Sequence, residues 1–389
     1  MSSAFWRGKK VFVTGHTGFK GSWLSLWLSG AGAQVHGYST APPTEPSLFN
    51  VARVEDALAS HVIGDVRDGD AIKRAMAAAA PEVVFHLAAQ SLVRYSYLEP
   101  AETYAVNVLG TVNVLEAIRA CASVLSVVNV TTDKCYENQE WLWGYRESEP
   151  LGGRDPYSSS KACSELVTAA YRDSFFAKAS VAIATGRAGN VIGGGDWALD
   201  RIVPDCIRAL VRGDTIPVRN KVATRPWQHV LEPLSGYLWL GACLSQSAEA
   251  EGLRVEGLKG DANSDPVQRF NHSTFQPPLC SAFNFGPALA SNRTVSELVQ
   301  EILKHWPGKW EDKSDPKAVH EATLLNLTTD KAHHFLGWAP AWSFSETIHQ
   351  TVSWYKQVND PAANVHALTT QQIAAYTAAA KSAGVAWAN

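Results

Sequence analysis

The chain has 389 residues, of which 46% are hydrophobic and 18% are charged, and its formal net charge at pH 7 is -3. This composition supports a buried core, excludes wholesale disorder, and gives the protein no general attraction to nucleic acid or anionic lipid. No apolar run is long enough to span a membrane and the first ten residues lack the apolar core of a signal peptide, so we expect a cytoplasmic protein with no membrane partner.

The first half of the chain alternates short apolar runs with longer helical patterns. The apolar runs predict buried parallel strands over residues 11–14, 35–38, 83–87, 124–130 and 181–185. The segments between them predict crossover helices over residues 21–29, 70–79, 102–120 and 158–176. This alternation is typical of an α/β fold with a doubly wound parallel sheet, the Rossmann arrangement.

The second half of the chain has a different rhythm, because Gly- and Pro-rich segments interrupt it after residue 187. It predicts a smaller mixed α/β lobe with helices over residues 230–244, 295–306 and 344–355 and a loop over 263–278. We predict a first domain over residues 1–188, joined by part of 222–256, and a second lobe mainly over 189–389, with interleaved boundaries. The six cysteines are widely spaced, which predicts free thiols and no metal site.

A glycine-rich turn, Gly-His-Thr-Gly-Phe-Lys-Gly, follows the first predicted strand at residues 15–21. Glycine is required where a chain turns tightly, where its backbone approaches a pyrophosphate, and where a helix packs closely on a strand. An ordinary βα turn is the alternative, but the position at the start of a βαβ series favours a dinucleotide site. The predicted cofactor residues in this turn are Gly15, Gly18, Phe19, Lys20 and Gly21.

The residues that would select between NAD and NADP depart from the usual pattern of dinucleotide sites. The second predicted strand ends in Ser39 and Thr40, so it lacks the acidic residue that usually holds the adenosine ribose of NAD. No arginine replaces that acid nearby, which favours NAD, whereas Lys20 leaves NADP open. Asp65 is predicted either to meet the adenine amino group or to shape a turn. For Asn107 we favour the role of a buried structural amide over cofactor contact.

Two further positions indicate proton-transfer chemistry. Tyr157 and Lys161 lie four residues apart after Pro156, so a helix would place both on one face, and a neighbouring ammonium favours the tyrosine phenolate. Thr132 follows the predicted strand over residues 124–130, at the carboxyl edge of the sheet where ligands of such folds bind. We predict that Tyr157 is a general base and that Thr132 hydrogen-bonds the reacting oxygen.

The glycine turn, the strand-end threonine and the Tyr-x-x-x-Lys pair, in this order, resemble the extended short-chain dehydrogenase/reductases. More narrowly, residues 15–24, Thr-Asp-Lys-Cys-Tyr-Glu-Asn at 132–138 and Gly-Gly-Arg-Asp-Pro-Tyr at 152–157 resemble nucleotide-sugar 4,6-dehydratases. The resemblance implies NAD as cofactor, and CDP-glucose or a related nucleotide sugar as substrate, on the way to deoxysugars such as those of lipopolysaccharide O-antigen. It also implies that Asp133 and Lys134 carry the acid and base for loss of water, although thymidine-nucleotide relatives carry Asp-Glu there. A structural Asp133–Lys134 ion pair is the alternative.

The same resemblance implies further contacts and an assembly. It adds to the cofactor site Val66, Leu87, Ala88 and Ala89. It implies a substrate site in the second lobe, with Gln90 at the hexose, Asn190 at the sugar phosphate, and arginines at the diphosphate: Arg201, Arg219 and Arg225. A solvated surface role is the alternative for each arginine, most readily for Arg201. The helices over 102–120 and 158–176 imply a homodimer or a dimer of dimers.

Three other functions stay open at this point. A nucleotide-sugar 4-epimerase would need Tyr157 and Lys161 but no acid and base for water loss, so Asp133 and Lys134 argue against it. A dehydratase acting on a uridine, thymidine or guanosine nucleotide would show the same residues, because no residue type in the sequence identifies the nucleotide base. A catalytically silent dinucleotide sensor would have no reason to combine Thr132 with the Tyr-Lys pair.

Overall fold

The computed structural model describes residues 3–178, 181–259, 279–314 and 324–388. Among the described helices, none combines the length and apolarity needed to cross a bilayer. The loop predicted over 263–278 lies outside the described residues.

A parallel sheet of seven strands, in the order β11-β6-β5-β4-β1-β2-β3, forms the centre of the molecule. Its strands are β1 (Lys10–Thr14), β2 (Gln34–Ser39), β3 (Ser60–Ile63), β4 (Val83–His86), β5 (Ser126–Val130), β6 (Ala182–Ala188) and β11 (Ala282–Phe285). The strand order reverses between β1 and β4, which is the switch point where ligands of doubly wound sheets bind. The predicted fold class is confirmed.

Helices cover both faces of the sheet, because its central strands, such as β4 and β5, are buried on both sides. In β1, Val11 and Val13 enter one core, whereas Phe12 enters a separate core on the opposite face. The helices are α1 (Ser3–Trp6), α2 (Phe19–Gly30), α3 (Leu48–Val51), α4 (Gly69–Ala79), α5 (Val93–Leu98), α6 (Pro100–Tyr104), α7 (Gly110–Arg119), α8 (Pro156–Ser174), α9 (Ile202–Arg212), α10 (Leu231–Lys259), α11 (Val295–His305), α12 (Asp330–Leu336), α13 (Phe344–Val358) and α14 (Val365–Ser382).

The helix predicted over 102–120 has an irregular centre. A π-helical turn, Ala105–Leu109, separates α6 from α7. Such turns are rare and are frequent at functional sites. Here the turn carries Asn107, whose amide faces the neighbouring helix α8.

The second half of the chain returns to the large sheet and also builds small sheets of its own. Strand β11 pairs in parallel with β6, with Phe283 opposite Gly186. The small sheets pair β7 (Val191–Ile192) with β10 (Gln228–His229), β9 (Thr224–Pro226) with β12 (Asn292–Thr294), and β8 (Ile216–Val218) with β13 (Trp310–Asp312). These small sheets and helix α9 lie beyond the carboxyl edge of the large sheet and carry the arginines predicted to meet substrate.

Candidate active site

In the glycine turn between β1 and α2, each glycine is needed for a different steric reason. Gly15 has φ of +76°, and a Cβ there would lie 2.8 Å from the Ala88 backbone nitrogen. A Cβ at Gly21 would collide with the carbonyl oxygen of Gly15. At Gly18 the nearest described atom to an added Cβ is that same oxygen, at 3.4 Å, so the space above Gly18 is open. A tight turn, a close helix packing and an open backbone are what a pyrophosphate site requires.

The start of α2 completes this cradle. The helix begins after Gly18 with no side chain capping its first backbone N–H groups. The first N–H groups of a helix have no partner within it and carry partial positive charge, so they favour a bound phosphate. The end of β4 lies beside the turn, because Thr14 Oγ1 accepts hydrogen bonds from the backbone N–H groups of Leu87 and Ala88 at 3.1 and 3.2 Å. Ala89 follows them. These residues fit a dinucleotide.

The far end of the cradle, at the tip of β2, is lined by hydroxyl groups. Thr17 Oγ1 lies 2.8 Å from Ser39 Oγ and donates to the Thr40 carbonyl at 3.0 Å. Lys20 does not lie with them. Burial and, to a smaller extent, the charges of Arg201 and Lys161 together lower the pKa of Lys20 to about 8, so its ammonium lies near the catalytic groups. The structure therefore gives Lys20 no role in holding a ribose 2'-phosphate.

Asp65 forms a turn with Arg67. Its carboxylate accepts from the Arg67 backbone N–H at 2.9 Å and forms an ion pair with the guanidinium at 2.6 Å. The hydrogen bonds from Arg67 lower the pKa of Asp65. Val66 points toward α7, since a Cβ added at Gly110 would lie 2.7 Å from its Cγ2. The turn predicted for Asp65 is present in the structure, and its contact with the adenine amino group stays a prediction.

Asn107 and Gln90 hold the wall of the site together. The Asn107 amide accepts from the Gln90 backbone N–H at 2.9 Å and donates to the Gln90 carbonyl and to Ser160 Oγ, at 2.9 and 2.8 Å. The Gln90 side chain donates to the Leu92 carbonyl and to Thr103 Oγ1. This side chain is occupied within its own loop, so the geometry does not favour the hexose contact predicted for it.

Helix α8 presents the Tyr-Lys pair. Pro156 opens the helix, and the side chain of Asp155 caps it by accepting from the Ser158 backbone N–H at 2.9 Å. Tyr157 and Lys161 are both buried, and the Lys161 ammonium donates to the Val130 carbonyl at 3.2 Å. Burial raises the pKa of Tyr157 to about 12, while the hydrogen bond to Thr132 acts in the opposite direction. Burial lowers the pKa of Lys161 to about 8.

The segment after β5 places Thr132 and Asp133 beside Tyr157 and Lys161. Thr132 Oγ1 donates to Asp133 Oδ1 at 3.0 Å. Asp133 is 2% exposed, and its Oδ2 has no hydrogen-bond partner among the described residues. Burial raises the pKa of this carboxyl group, and the Lys134 charge opposes that rise. Within the described chain no ion pair joins Asp133 to Lys134, so the predicted structural pair is absent.

The residues predicted to bind substrate differ in how close they lie to the catalytic groups. Arg201 forms an ion pair with Asp196 at 2.8 Å, and its charge lowers the pKa of both Lys20 and Tyr157. Arg201 is therefore close to the catalytic groups, which favours its predicted role at the substrate over the surface role that was its alternative.

The other two arginines behave differently from Arg201. Arg225 is buried and its charge lowers the pKa of Asp133, so it also faces the site. Arg219 is exposed and paired with Asp200 and Asp205, at 2.6 and 2.7 Å. Asn190 joins β7 to β10, because its carbonyl accepts from the Gln228 backbone N–H at 3.2 Å.

Comparison with known proteins identifies the family. The sequence profile described as GDP-mannose 4,6 dehydratase matches residues 12–253. The CDP-glucose 4,6-dehydratase of Salmonella typhimurium is 47% identical to the chain over 361 residues, which cover 90% of this chain and 92% of that protein. The chain belongs to this family of nucleotide-sugar 4,6-dehydratases.

Solved structures share the family fold across two activities. The dTDP-glucose 4,6-dehydratase of Bacillus anthracis, in complex with NAD, has a TM-score of 0.71 at 20% identity and covers 91% of this chain and 98% of its own. The UDP-glucose 4-epimerase of Thermotoga maritima, with UDP-glucose, has a TM-score of 0.69 at 20% identity and covers 90% and 99%. Because both activities occur on this fold, the side chains at the site have to discriminate between them.

Beneath the site of this dehydratase-family protein lies an ion pair that our sequence reasoning missed. Arg187 on β6 donates two hydrogen bonds to Glu165 on α8, each of 2.9 Å, and both side chains are buried. Glu165 also accepts from the hydroxyl groups of Thr131 and Thr185. Glu165 lies four residues after Lys161, and this spacing predicts that both lie on one face of the helix. It was the one sequence signal that could have indicated a buried role for Glu165.

We expect Glu165→Ala to destabilise the fold strongly. Removing one partner of a buried pair leaves the other charge buried and uncompensated, which typically costs about 3–5 kcal/mol of unfolding free energy. Urea denaturation measures this cost, with Asp56→Ala as the control, since Asp56 forms an exposed ion pair with Arg53. A change in unfolding free energy no larger than that of the control would contradict the expectation.

Proposed function

We propose that the chain converts CDP-glucose to CDP-4-keto-6-deoxyglucose by an NAD-dependent dehydration without net redox change. The observation that carries this proposal is the convergence of two sets of groups beside the glycine turn. Tyr157, Lys161 and Thr132 suit oxidation of an alcohol, and the buried Asp133 suits protonation of a leaving hydroxyl group. The identity with the Salmonella enzyme supports CDP-glucose over other nucleotide sugars.

The cofactor would be held by the glycine turn and the first residues of α2. NAD, when bound, supplies a hydride acceptor for C4 of the sugar and a hydride donor for C6. The hydroxyl-lined tip of β2, with Ser39 and Thr17, suits ribose hydroxyl groups and supports NAD over NADP.

The chain's own residues handle the first proton. Tyr157 takes the proton of the C4 hydroxyl group, while Thr132 hydrogen-bonds that oxygen. The phenol must ionise for this, and burial alone opposes ionisation. The cations of Lys161 and Arg201 therefore have to stabilise the phenolate, and the charge of Arg201 already lowers the pKa of Tyr157.

Loss of water needs an acid and a base in fixed order. The C5 proton becomes acidic only beside a C4 carbonyl, so Lys134 removes it after C4 is oxidised. Asp133 gives a proton to the departing C6 oxygen. Burial raises the pKa of Asp133, which is the direction that an acid working near neutral pH requires. A 4-epimerase would need neither group.

Two of the predicted arginines remain our candidates for the substrate diphosphate. Arg201 and Arg225 both act electrostatically on the catalytic groups, so they can reach a phosphate that adjoins the reacting sugar. Asn190 at the end of β7 is our candidate for the phosphate oxygen next to the hexose. Gln90 and Arg219 are less favoured, since protein groups already occupy their side chains.

We also propose a cytoplasmic homodimer or dimer of dimers that feeds deoxysugar synthesis. Leu109 and Leu166, at 51% and 58% exposure, lie on the two helical segments predicted to pair, which supports burial against a second copy. The six free thiols suit a reducing compartment. A 4-keto product suits further deoxygenation, as needed for sugars of lipopolysaccharide O-antigen, because its carbonyl group activates neighbouring positions.

Incubation with a panel of nucleotide-glucose substrates, followed by mass spectrometry, tests the proposed function. The expected result is loss of one water from CDP-glucose, faster than from the uridine, thymidine or guanosine compounds. A product of unchanged mass with inverted C4 would identify an epimerase. Cofactor binding without conversion of any substrate would identify a sensor.

Replacing Lys134 with Met should separate the two stages of the reaction. The substitution keeps most of the stem volume but removes the amine, so C4 oxidation should survive while elimination stalls. Absorbance at 340 nm should then rise and persist with Lys134→Met, and return to baseline with wild type. In heavy water, wild-type product should carry deuterium at C5.

The matched control for this experiment is Lys73→Met, on the exposed face of α4. It should behave as wild type in both measurements. Wild-type dehydration by Lys134→Met, with deuterium still incorporated at C5, would show that another group removes the C5 proton.

A further inference from the structure

The side chain of Tyr237, on helix α10, ends in a hydroxyl group that no described residue uses. Tyr237 is 0% exposed, and its hydroxyl oxygen has no hydrogen-bond partner among the described residues. Burying a polar group without a partner is unfavourable, so such groups are rare in folded proteins and call for an explanation. An unpaired buried phenol therefore indicates a hydrogen-bond partner outside the described residues, and a bound ligand is one such partner.

The fold makes special room for this ring. A Cβ added at Gly186 on β6 would lie 2.7 Å from the Tyr237 ring, so a glycine is required there. Phe285 on β11 packs edge-on against the ring, with centroids 5.5 Å apart. The ring is thus fixed at the carboxyl half of β6, directly below the segment that follows this strand.

That segment leads to Asp133. Gly189 follows Gly186 by three residues, and a Cβ added at Gly189 would lie 2.9 Å from Asp133 Oδ2. The charge of Asp133 and that of Tyr157 each raise the pKa of Tyr237, after the larger effect of its burial. The Lys20 ammonium lies 6.0 Å from the ring centroid. Tyr237 therefore shares one pocket with the catalytic groups.

Like the Tyr237 hydroxyl group, one carboxylate oxygen of Asp133 has no hydrogen-bond partner among the described residues. Its Oδ1 accepts from Thr132, whereas its Oδ2 is buried and unpartnered within the described chain. Two unsatisfied oxygens in one pocket are both satisfied by a single oxygen atom placed between them. In the proposed dehydration, the oxygen that must approach Asp133 is that of the C6 hydroxyl group.

We propose that Tyr237 is a further catalytic residue, which donates a hydrogen bond to the C6 oxygen as this oxygen leaves. The C5–H electron pair becomes the C5–C6 double bond, and the C6–O pair departs with the oxygen. Asp133 supplies the proton that completes the water, while Tyr237 keeps its own proton throughout. Its hydrogen bond stabilises negative charge on the oxygen before that proton arrives. This inference rests on the proposed function.

The test is Tyr237→Phe, which removes the hydroxyl group and keeps the ring. C4 oxidation should proceed at close to the wild-type rate, while loss of water slows by about 10- to 100-fold. A stopped-flow trace at 340 nm should show reduced cofactor accumulating, and mass spectrometry should show slow release of the dehydrated product. The control is Tyr376→Phe, another buried tyrosine, whose hydroxyl group donates to Glu232 at 2.6 Å. The control should lower stability without accumulation of reduced cofactor.

Two results would overturn the inference. One is dehydration by Tyr237→Phe at the wild-type rate. The other is an equal slowing of both stages together with a lowered melting temperature, which would make Tyr237 a packing residue. Wild type is assayed in parallel: if it loses no water from CDP-glucose, the proposed function fails, whereas dehydration by wild type and variant alike removes only the role of Tyr237.

Discussion

Tyr157→Phe should lower turnover by about 10² to 10⁴, the usual contribution of a general base, while leaving cofactor affinity nearly unchanged. The phenol oxygen is the group that we expect to take the C4 hydroxyl proton, and phenylalanine keeps the ring that packs at the start of α8. Since both stages of the reaction depend on C4 oxidation, no reduced cofactor should accumulate. Steady-state turnover and a fluorescence titration with NADH measure the two quantities.

The control is Tyr171→Phe, on the same helix, where the hydroxyl group bonds to Glu116 instead. Its turnover should match that of wild type. A Tyr157→Phe enzyme within a few-fold of wild type would exclude Tyr157 as the base, and the role would pass to another group at the carboxyl edge of the sheet.

Gly18→Val should abolish dinucleotide binding with little loss of stability. A Cβ added at Gly18 makes only an ordinary contact with the Gly15 carbonyl oxygen, at 3.4 Å, so a valine side chain is compatible with the fold but occupies the approach of the pyrophosphate. Activity disappears because the cofactor cannot bind. Calorimetric titration with NADH and thermal unfolding without cofactor measure the two effects.

Gly30→Val, at the other end of α2, is the matched control because a Cβ there meets open space. Its affinity for NADH should be that of wild type. Normal NADH affinity in Gly18→Val would refute the assignment of the glycine turn to the cofactor.

The fold was predictable from the sequence because its strands are apolar on both faces and regularly spaced. The elements around β1, β4 and β5 are long enough for their periodicity to identify them. Strand β11 was missed, because Ala282–Phe285 is short and lies far along the chain from its partner β6. No local pattern reports such a pairing, since it depends on how the second half of the chain returns to the sheet.

The site was predictable where a motif fixes both residue type and position, as at Tyr157 and Thr132. It was not predictable where isolated residues meet through the fold. For Arg201 the sequence left a surface role open beside the substrate role, whereas in the fold it lies at the start of α9 and its charge acts on Tyr157. Tyr237 drew no attention in an apolar helix, where an aromatic residue normally indicates core packing.

The π-helical turn Ala105–Leu109 has a consequence for chain length. Deleting one residue within this turn would convert it to α-helix, which leaves α6 and α7 nearly in place but changes the direction of the side chains inside the turn. The Asn107 amide would then lose Gln90 on one side or Ser160 on the other. We therefore expect a single-residue deletion in this turn to loosen the wall of the site through Asn107, although the helices on either side keep their places.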